Sequence, residues 1–209
     1  MIREPRDTWL YRFAYLWVPV LFKLLFRMKI TGAEHIPRTG PVVLASNHLS
    51  NTDPFFLGVS CPRQIHFIAK AELWKPRILG WVIEAFGAFP IRRGGADREA
   101  VRTAFEYLNA GAVIGIFPEG HRQRDGRLGP LNPGFALFSL KNGVVTIPVA
   151  LTGTNLVVRG RRLHFPRVTV SFGPPLHLPD PSVPRSERAR LVTQRLEESL
   201  RNLLGQPKP

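Results

Sequence analysis

The stretch PVVLASNHLSNTDP, residues 41–54, decides the architecture. Its opening PVVLA is apolar without any polar alternation, which reads as a strand buried on both faces. The polar run SNHLSNTD follows at once. Asp53 and Pro54 then open an apolar helical segment, the proline suited to a first helical position and the aspartate to its cap. Strand, polar turn and helix in immediate succession form the repeating unit of an α/β domain.

The same alternation recurs along the chain. RMKITG (27–32) reads as a strand, followed by a turn at EHIPRTG (34–40). QIHFIAK (64–70) and GAFPIRR (87–93) read as further strands. AVIGIFPEG (112–120) and GVVTIPVALTG (143–153) are the strongest buried strands. RVTVSFG (167–173) alternates, as at a sheet edge or on a half-exposed face. Helices fall between: one capped by Asp97, carrying Val101, Ala104, Phe105 and Leu108 on one face and stopped by Gly111. NPGFALFSLKNG (132–143) reads as a short apolar helix. The last helix puts Ala189, Val192, Leu196, Leu200 and Leu203 on one stripe, with Arg188, Arg195 and Arg201 turned outward. The Pro-rich 173–184 is a connector. At 209 residues the expectation is one α/β domain with a substantial core.

Charge departs most from the ordinary. The chain carries 29 Lys+Arg against 15 Asp+Glu, a formal net charge of +14. The excess concentrates at the two ends, in residues 1–38 and 156–209. Such a chain is drawn to an anionic partner, nucleic acid or a negatively charged membrane leaflet. The N-terminus favours the membrane. WLYRFAYLWVPVLFKLLF (9–26) would span only ~27 Å as a helix, less than a ~30 Å hydrocarbon core. It also contains Arg12, Pro19 and Lys23 and has no signal-peptide cleavage site. An interfacial helix with Trp9, Tyr11, Tyr15 and Trp17 at headgroup depth is expected. Residues 1–27 are therefore read as a membrane-associating segment and 28–209 as the α/β domain. The single cysteine, Cys61, excludes an internal disulfide and fits a reducing compartment; no cysteine pair suggests zinc.

Three groups of residues could carry chemistry. His48 and Asp53 flank the turn after a buried strand, where a carboxylate on one ring nitrogen would leave the other as a base. No G-x-S-x-G motif supplies a nucleophile, so the base is expected to activate a substrate hydroxyl. FPEGHRQ (117–123) brings Glu119, Gly120 and Arg122 to another strand end, a set suited to a polyol or phosphate. His121 reads as a turn residue. In GAFPIRRGG (87–95), Arg92 and Arg93 stand among glycines, and Lys70 ends the IHFIA strand, so all three could meet an anion. Strand ends of an open α/β sheet converge where sites form. Asn47 and Ser50 receive no role from the sequence.

Taken in order, NHLSNTD (47–53), GAFPIRR, FPEGHR and TIPVA (146–150) resemble the four blocks of the glycerolipid acyltransferases. That family includes 1-acylglycerol-3-phosphate and glycerol-3-phosphate acyltransferases. The resemblance covers residues 28–151 and extends through AKAELWKPRILGWVIEAFGAF. It implies a sheet flanked by helices, His48 as catalytic base and Asp53 as its partner. Glu119, Gly120 and Arg122 would bind the phosphorylated glycerol acceptor, together with Lys70 and an arginine of the pair Arg92 and Arg93. Arg92 stands where the family often has aspartate, and His121 where threonine is common. Ile147 and Pro148 would shape the acyl-donor side. The implied reaction takes a fatty acyl group from an acyl thioester to the sn-2 hydroxyl of 1-acylglycerol 3-phosphate, giving phosphatidic acid. Acyl-CoA or acyl-carrier protein is then a co-substrate, with no cofactor and no metal, on the cytoplasmic face of a membrane and without nucleic acid. Two alternatives stand beside this: another acceptor, such as glycerol 3-phosphate or a different lysolipid, and a basic binding module without catalysis. The second accounts for the charge but leaves the polar groups at the strand ends unused.

Overall fold

The computed structural model describes residues 9–70, 89–91 and 98–207. The elements in chain order are α1 (Trp9–Leu25), β1 (Lys29–Thr31), β2 (Val42–Ser46), α2 (Asp53–Ser60), β3 (Ile65–Lys70), β4 (Phe89–Ile91) and α3 (Arg98–Asn109). They continue with β5 (Val113–Ile116), α4 (Ala136–Ser139), β6 (Val145–Thr152), β7 (Val158–Arg159), β8 (Arg162–Leu163), β9 (Thr169–Phe172) and α5 (Arg185–Leu204). Among the described residues seven strands form one sheet in the order β1-β9-β6-β2-β5-β3-β4, and β7 pairs with β8 as a separate hairpin.

The apolar run at 41–45 behaves as its composition requires. Every residue of β2 is buried, between β6 on one side and β5 on the other, both parallel to it. Alternate side chains serve opposite faces. Val42 and Leu44 join Phe56 and Leu57 of α2 in the main core, while Val43 packs with Ala104 and Leu108 of α3. Ala45 lies in a third cluster with Val192, Leu196 and Leu200 of α5. The result is a helix–sheet–helix sandwich, the α/β architecture expected. Full burial of each such large apolar side chain contributes roughly 1.5–3 kcal/mol. In β5 the absence of a side chain is itself used. A Cβ on Gly115 would stand 2.3 Å from the ring of Phe67.

Several boundaries differ from the sequence reading. The alternating strand β9 buries one face, as expected, but β1 takes the sheet edge beyond it. Residues 132–143 do not form a single helix. The Asn132 side chain accepts the Gly134 N–H at 2.8 Å and opens a 3-10 turn, Pro133–Phe135, before the four-residue α4. On α5 the stripe is buried as read, with Val192, Leu196 and Leu200 inaccessible. Its arginines are less free than expected: Arg195 donates to the His177 carbonyl, and Arg201 pairs with Glu197 at 2.9 Å. The hairpin β7–β8 was not anticipated. The capping reading of Asp97 lies outside the described residues.

No helix among the described residues is long and apolar enough to cross a membrane. The end of α1 is fastened to the domain by aromatic rings. Phe22 and Phe26 lie 5.3 and 4.8 Å from Phe56 of α2. Arg27, in the left-handed region at φ 44°, closes the helix, and Met28 N–H returns to the Lys23 carbonyl.

Candidate active site

The turn after β2 is built around one carboxylate oxygen. Asp53 Oδ2 accepts the Leu49 N–H at 2.6 Å and the Ser50 N–H at 2.8 Å, and it lies 2.8 Å from His48 Nδ1. Asp53 thus folds the chain back across residues 49–52 while opening α2. An oxygen already accepting two N–H groups is best matched by a third donor, which puts the proton on Nδ1 and leaves Nε2 with a free lone pair. Asp53 is fully buried, whereas the His48 side chain is 19 % exposed, so the carboxylate is shielded and the ring is reachable from solvent. The imidazole stacks on Phe117, centroids 4.2 Å apart, and Phe117 in turn lies parallel to Phe67 in the core. Ser50 Oγ accepts from Thr52 N–H and Oγ1, tightening the same turn.

Asn47 anchors the turn to the sheet. Its carboxamide accepts the Leu151 N–H at 2.7 Å and donates to the Leu151 carbonyl at 3.0 Å, fully buried. Asn47→Asp would set a carboxylate oxygen against the Leu151 carbonyl and is expected to cost about 2–4 kcal/mol. Urea unfolding midpoints of the two proteins measure it; equal midpoints would remove Asn47 from this role.

Glu119 ties a second loop to the histidine. Its Oε2 accepts the His48 N–H at 2.5 Å and its Oε1 the Gly129 N–H at 2.7 Å. On the other side, Gln123 N–H donates to the His48 carbonyl at 2.7 Å. Both backbone groups of His48 are therefore held by the loop that follows β5. Gly129 fits closely, since a Cβ there would meet Gln123 Nε2 at 2.2 Å. Burial pushes the Glu119 carboxyl above the usual carboxylate range, aided by the Asp53 charge, while the Gly129 and His48 N–H groups and the His48 charge oppose it.

A carboxyl raised in the fold stabilises the native state fully below its unfolded value, near 4.5, and that contribution is lost as pH rises through the higher folded value. Denaturant midpoints of the wild type should therefore fall, relative to those of Glu119→Gln, as pH rises from that value. A pH-independent difference between the two proteins would contradict the linkage.

The remaining candidates are dispersed differently. Gly120 adopts φ 68°, a conformation suited to glycine, and a Cβ there would meet nothing within 4 Å. Arg122 is exposed one residue before the N–H that holds His48, and among the described residues its guanidinium makes no ion pair. Lys70 ends β3, two strands from β2. Arg92 and Arg93 lie outside the described residues. Ile147 and Pro148 are both buried in β6, opposite Leu44 and Ala45 of β2, and Ile147 belongs to the main core. The Cys61 thiol, also buried, is pushed up to about 11 by desolvation, far from the range of a nucleophile. Sequence reasoning left Asn47 without a role, yet a buried amide at a strand end must find partners. It missed Phe117 and Gly129, for which the sequence offers no signal beyond the adjoining motif.

Fold and site together define an open-sheet α/β protein with a histidine held by a buried aspartate at its strand ends. A sequence model of the family Acyltransferase matches residues 27–152, and the chain belongs to that family. It is 32% identical over 148 residues to the chloroplastic 1-acyl-sn-glycerol-3-phosphate acyltransferase LPAT1 of Arabidopsis thaliana, an overlap of 69% of this chain and 41% of that protein. The chain thus spans about two fifths of that relative's length. With the 1-acyl-sn-glycerol-3-phosphate acyltransferase of Bacillus subtilis it shares 28% identity over 197 residues, 93% of this chain and 96% of that one. The fold is also that of the solved 1-acyl-sn-glycerophosphate (LPA) acyltransferase, PlsC, from Thermotoga maritima. The TM-score is 0.69 at 24% identity, covering 92% of this chain and 81% of that one.

Proposed function

We propose that this chain transfers a fatty acyl group from an acyl thioester to the free sn-2 hydroxyl of 1-acylglycerol 3-phosphate, giving phosphatidic acid. The observation that carries the reading is the His48–Asp53 contact of 2.8 Å, made by a ring that is itself partly exposed. The names of the relatives supply the substrate class. His48 Nε2 takes the proton of the acceptor hydroxyl as its oxygen attacks the thioester carbonyl. The tetrahedral adduct collapses with cleavage of the C–S bond, and the imidazolium returns its proton to the thiolate. Asp53 supports the positive ring during that interval. Glu119, with both oxygens engaged by backbone N–H groups, positions His48 rather than touching the acceptor. Gly120 gives the loop its positive-φ turn. Arg122, Lys70 and an arginine of the pair Arg92 and Arg93 neutralise the acceptor phosphate. Ile147 and Pro148 act on the acyl-donor side through the packing of β6 beneath it. The thioester is a co-substrate, and the chemistry draws on no other cofactor or metal.

The protein works at the cytoplasmic face of a membrane in this reading, as a peripheral or monotopic enzyme, with residues 1–27 associating with lipid and 28–209 catalysing. The exposed Trp17, Leu21 and Leu24 on α1 support it. Thioester release measured across lysophosphatidic acid, glycerol 3-phosphate and neutral lysolipids tests the assignment; preference for a neutral lysolipid would overturn it. Within that assay Arg122→Ala is expected to raise KM for lysophosphatidic acid by roughly 10–100-fold, the worth of a charge-assisted hydrogen bond. KM for the thioester should stay the same. An unchanged acceptor KM would place the phosphate elsewhere.

A further inference from the structure

The hairpin β7–β8 takes no part in the site, and its surface is of an unusual kind. Val158 and Leu163 are 50% and 60% exposed. Arg159, Arg161 and Arg162 stand between them, and residues 158–167 contain four arginines and no acidic residue. Among the described residues the side chains of Arg159, Arg161 and Arg162 make no ion pair or hydrogen bond. The root of the hairpin is nonetheless firm: Val157 is buried in the main core, and His164 N–H donates to its carbonyl at 2.8 Å.

This surface continues into α1. The Phe26 and Phe165 rings lie 5.4 Å apart, and Arg27 donates to the Phe165 carbonyl at 2.7 Å. Trp17, Leu21 and Leu24 repeat at helical spacing and are all more than half exposed, while Phe22 and Phe26 face inward. The strand register sets where this surface lies. Thr152, at the end of β6, pairs with Thr169, which also pairs with Lys29 just after α1. Ser46, leading into His48, pairs with Val149 of the same β6. The hairpin, the end of α1 and His48 therefore share one end of the sheet. Asn155, at the hairpin root, donates to the Arg124 carbonyl in the loop that carries Arg122.

We propose that the β7–β8 hairpin and the outer face of α1 form one docking surface for an anionic lipid bilayer. Arginines pair with lipid phosphates while the interleaved aliphatic side chains enter the headgroup boundary. A nucleic acid would use the arginines but leave Val158, Leu163, Leu21 and Leu24 in water; a bilayer uses both. The inference rests on the reading of a lipid acceptor and adds how that acceptor reaches His48: along the surface, without crossing water.

The test is co-sedimentation of the full chain with phosphatidylcholine vesicles, with and without phosphatidylglycerol. Replacing the three arginines by Arg159→Ser, Arg161→Ser and Arg162→Ser is expected to weaken binding to the anionic vesicles by about tenfold or more. Binding to pure phosphatidylcholine should not change. The matching lysine substitutions should retain binding, which separates charge from misfolding. Val158→Ser with Leu163→Ser should weaken binding to both vesicles. Anionic-vesicle affinity unchanged in the serine variant overturns the proposal, as does duplex DNA that competes the vesicles away through the same arginines. Acylation of a soluble short-chain lysophosphatidic acid by the serine variant should match the wild type. A wild type that binds vesicles through the hairpin yet releases no thioester with any lysolipid overturns the acceptor reading and upholds the docking surface.

Discussion

His48→Ala should reduce kcat for acyl transfer by about 10²–10⁴, the usual worth of a positioned general base. The protein should nevertheless remain folded. The turn does not depend on the imidazole: Glu119 and Gln123 hold the backbone of residue 48, and Asp53 keeps the Leu49 and Ser50 N–H groups. The ring is also partly exposed, so its removal opens a shallow hollow rather than a core cavity. Acceptor KM should change by no more than about twofold, because a group that acts on the proton in transit adds little to ground-state binding. Thioester release with purified protein decides the matter. Full activity in the alanine variant would exclude His48 as the base, and a loss confined to KM would make it a binding residue.

How far the sequence reaches depends on how local each cause is. The strand β2 was legible because burial on both faces leaves a continuous apolar run, and Pro54 with Asp53 marks the helix that follows. The pairing of His48 with Asp53 was legible for the same reason, since a single turn closes it. Asn47 was not, because its partner Leu151 lies 104 residues away. Glu119 was found by its motif but with only half of its work visible. It looked like an acceptor ligand, yet its oxygens face the N–H groups of His48 and Gly129, one of them across 71 residues. The hairpin escaped because strands of two residues are too short to show any period, and exposed apolar residues among arginines resemble neither strand face. The arginines of α5 were read as solvated because helical spacing cannot show that the His177 carbonyl lies within reach of Arg195.

Two substitutions at Asp53 separate its electrostatic role from its structural one. In Asp53→Asn the amide oxygen can take the place of Oδ2 and go on accepting from Leu49 N–H, Ser50 N–H and His48 Nδ1. The amide nitrogen then falls at Oδ1, which is buried with no hydrogen-bond partner among the described residues. The geometry of the turn and the ring tautomer survive, but the negative charge that supports the imidazolium is gone. A fall in kcat of about 10²–10⁴ is expected, with the unfolding free energy lowered by no more than roughly 1–3 kcal/mol for one unpaired amide. Asp53→Ala, by contrast, strands three donors at once, two of them backbone groups, in a partly buried turn. Each unsatisfied group costs about 1–3 kcal/mol, so much of the total stability of an ordinary domain is lost. The informative comparison is therefore between the two variants. If asparagine retains both stability and kcat, the charge is dispensable and Asp53 serves only to close the turn before α2. If asparagine unfolds the protein as alanine does, the carboxylate is structural first. Loss of kcat with stability kept assigns to one buried oxygen both the folding of the turn and the orientation of the base.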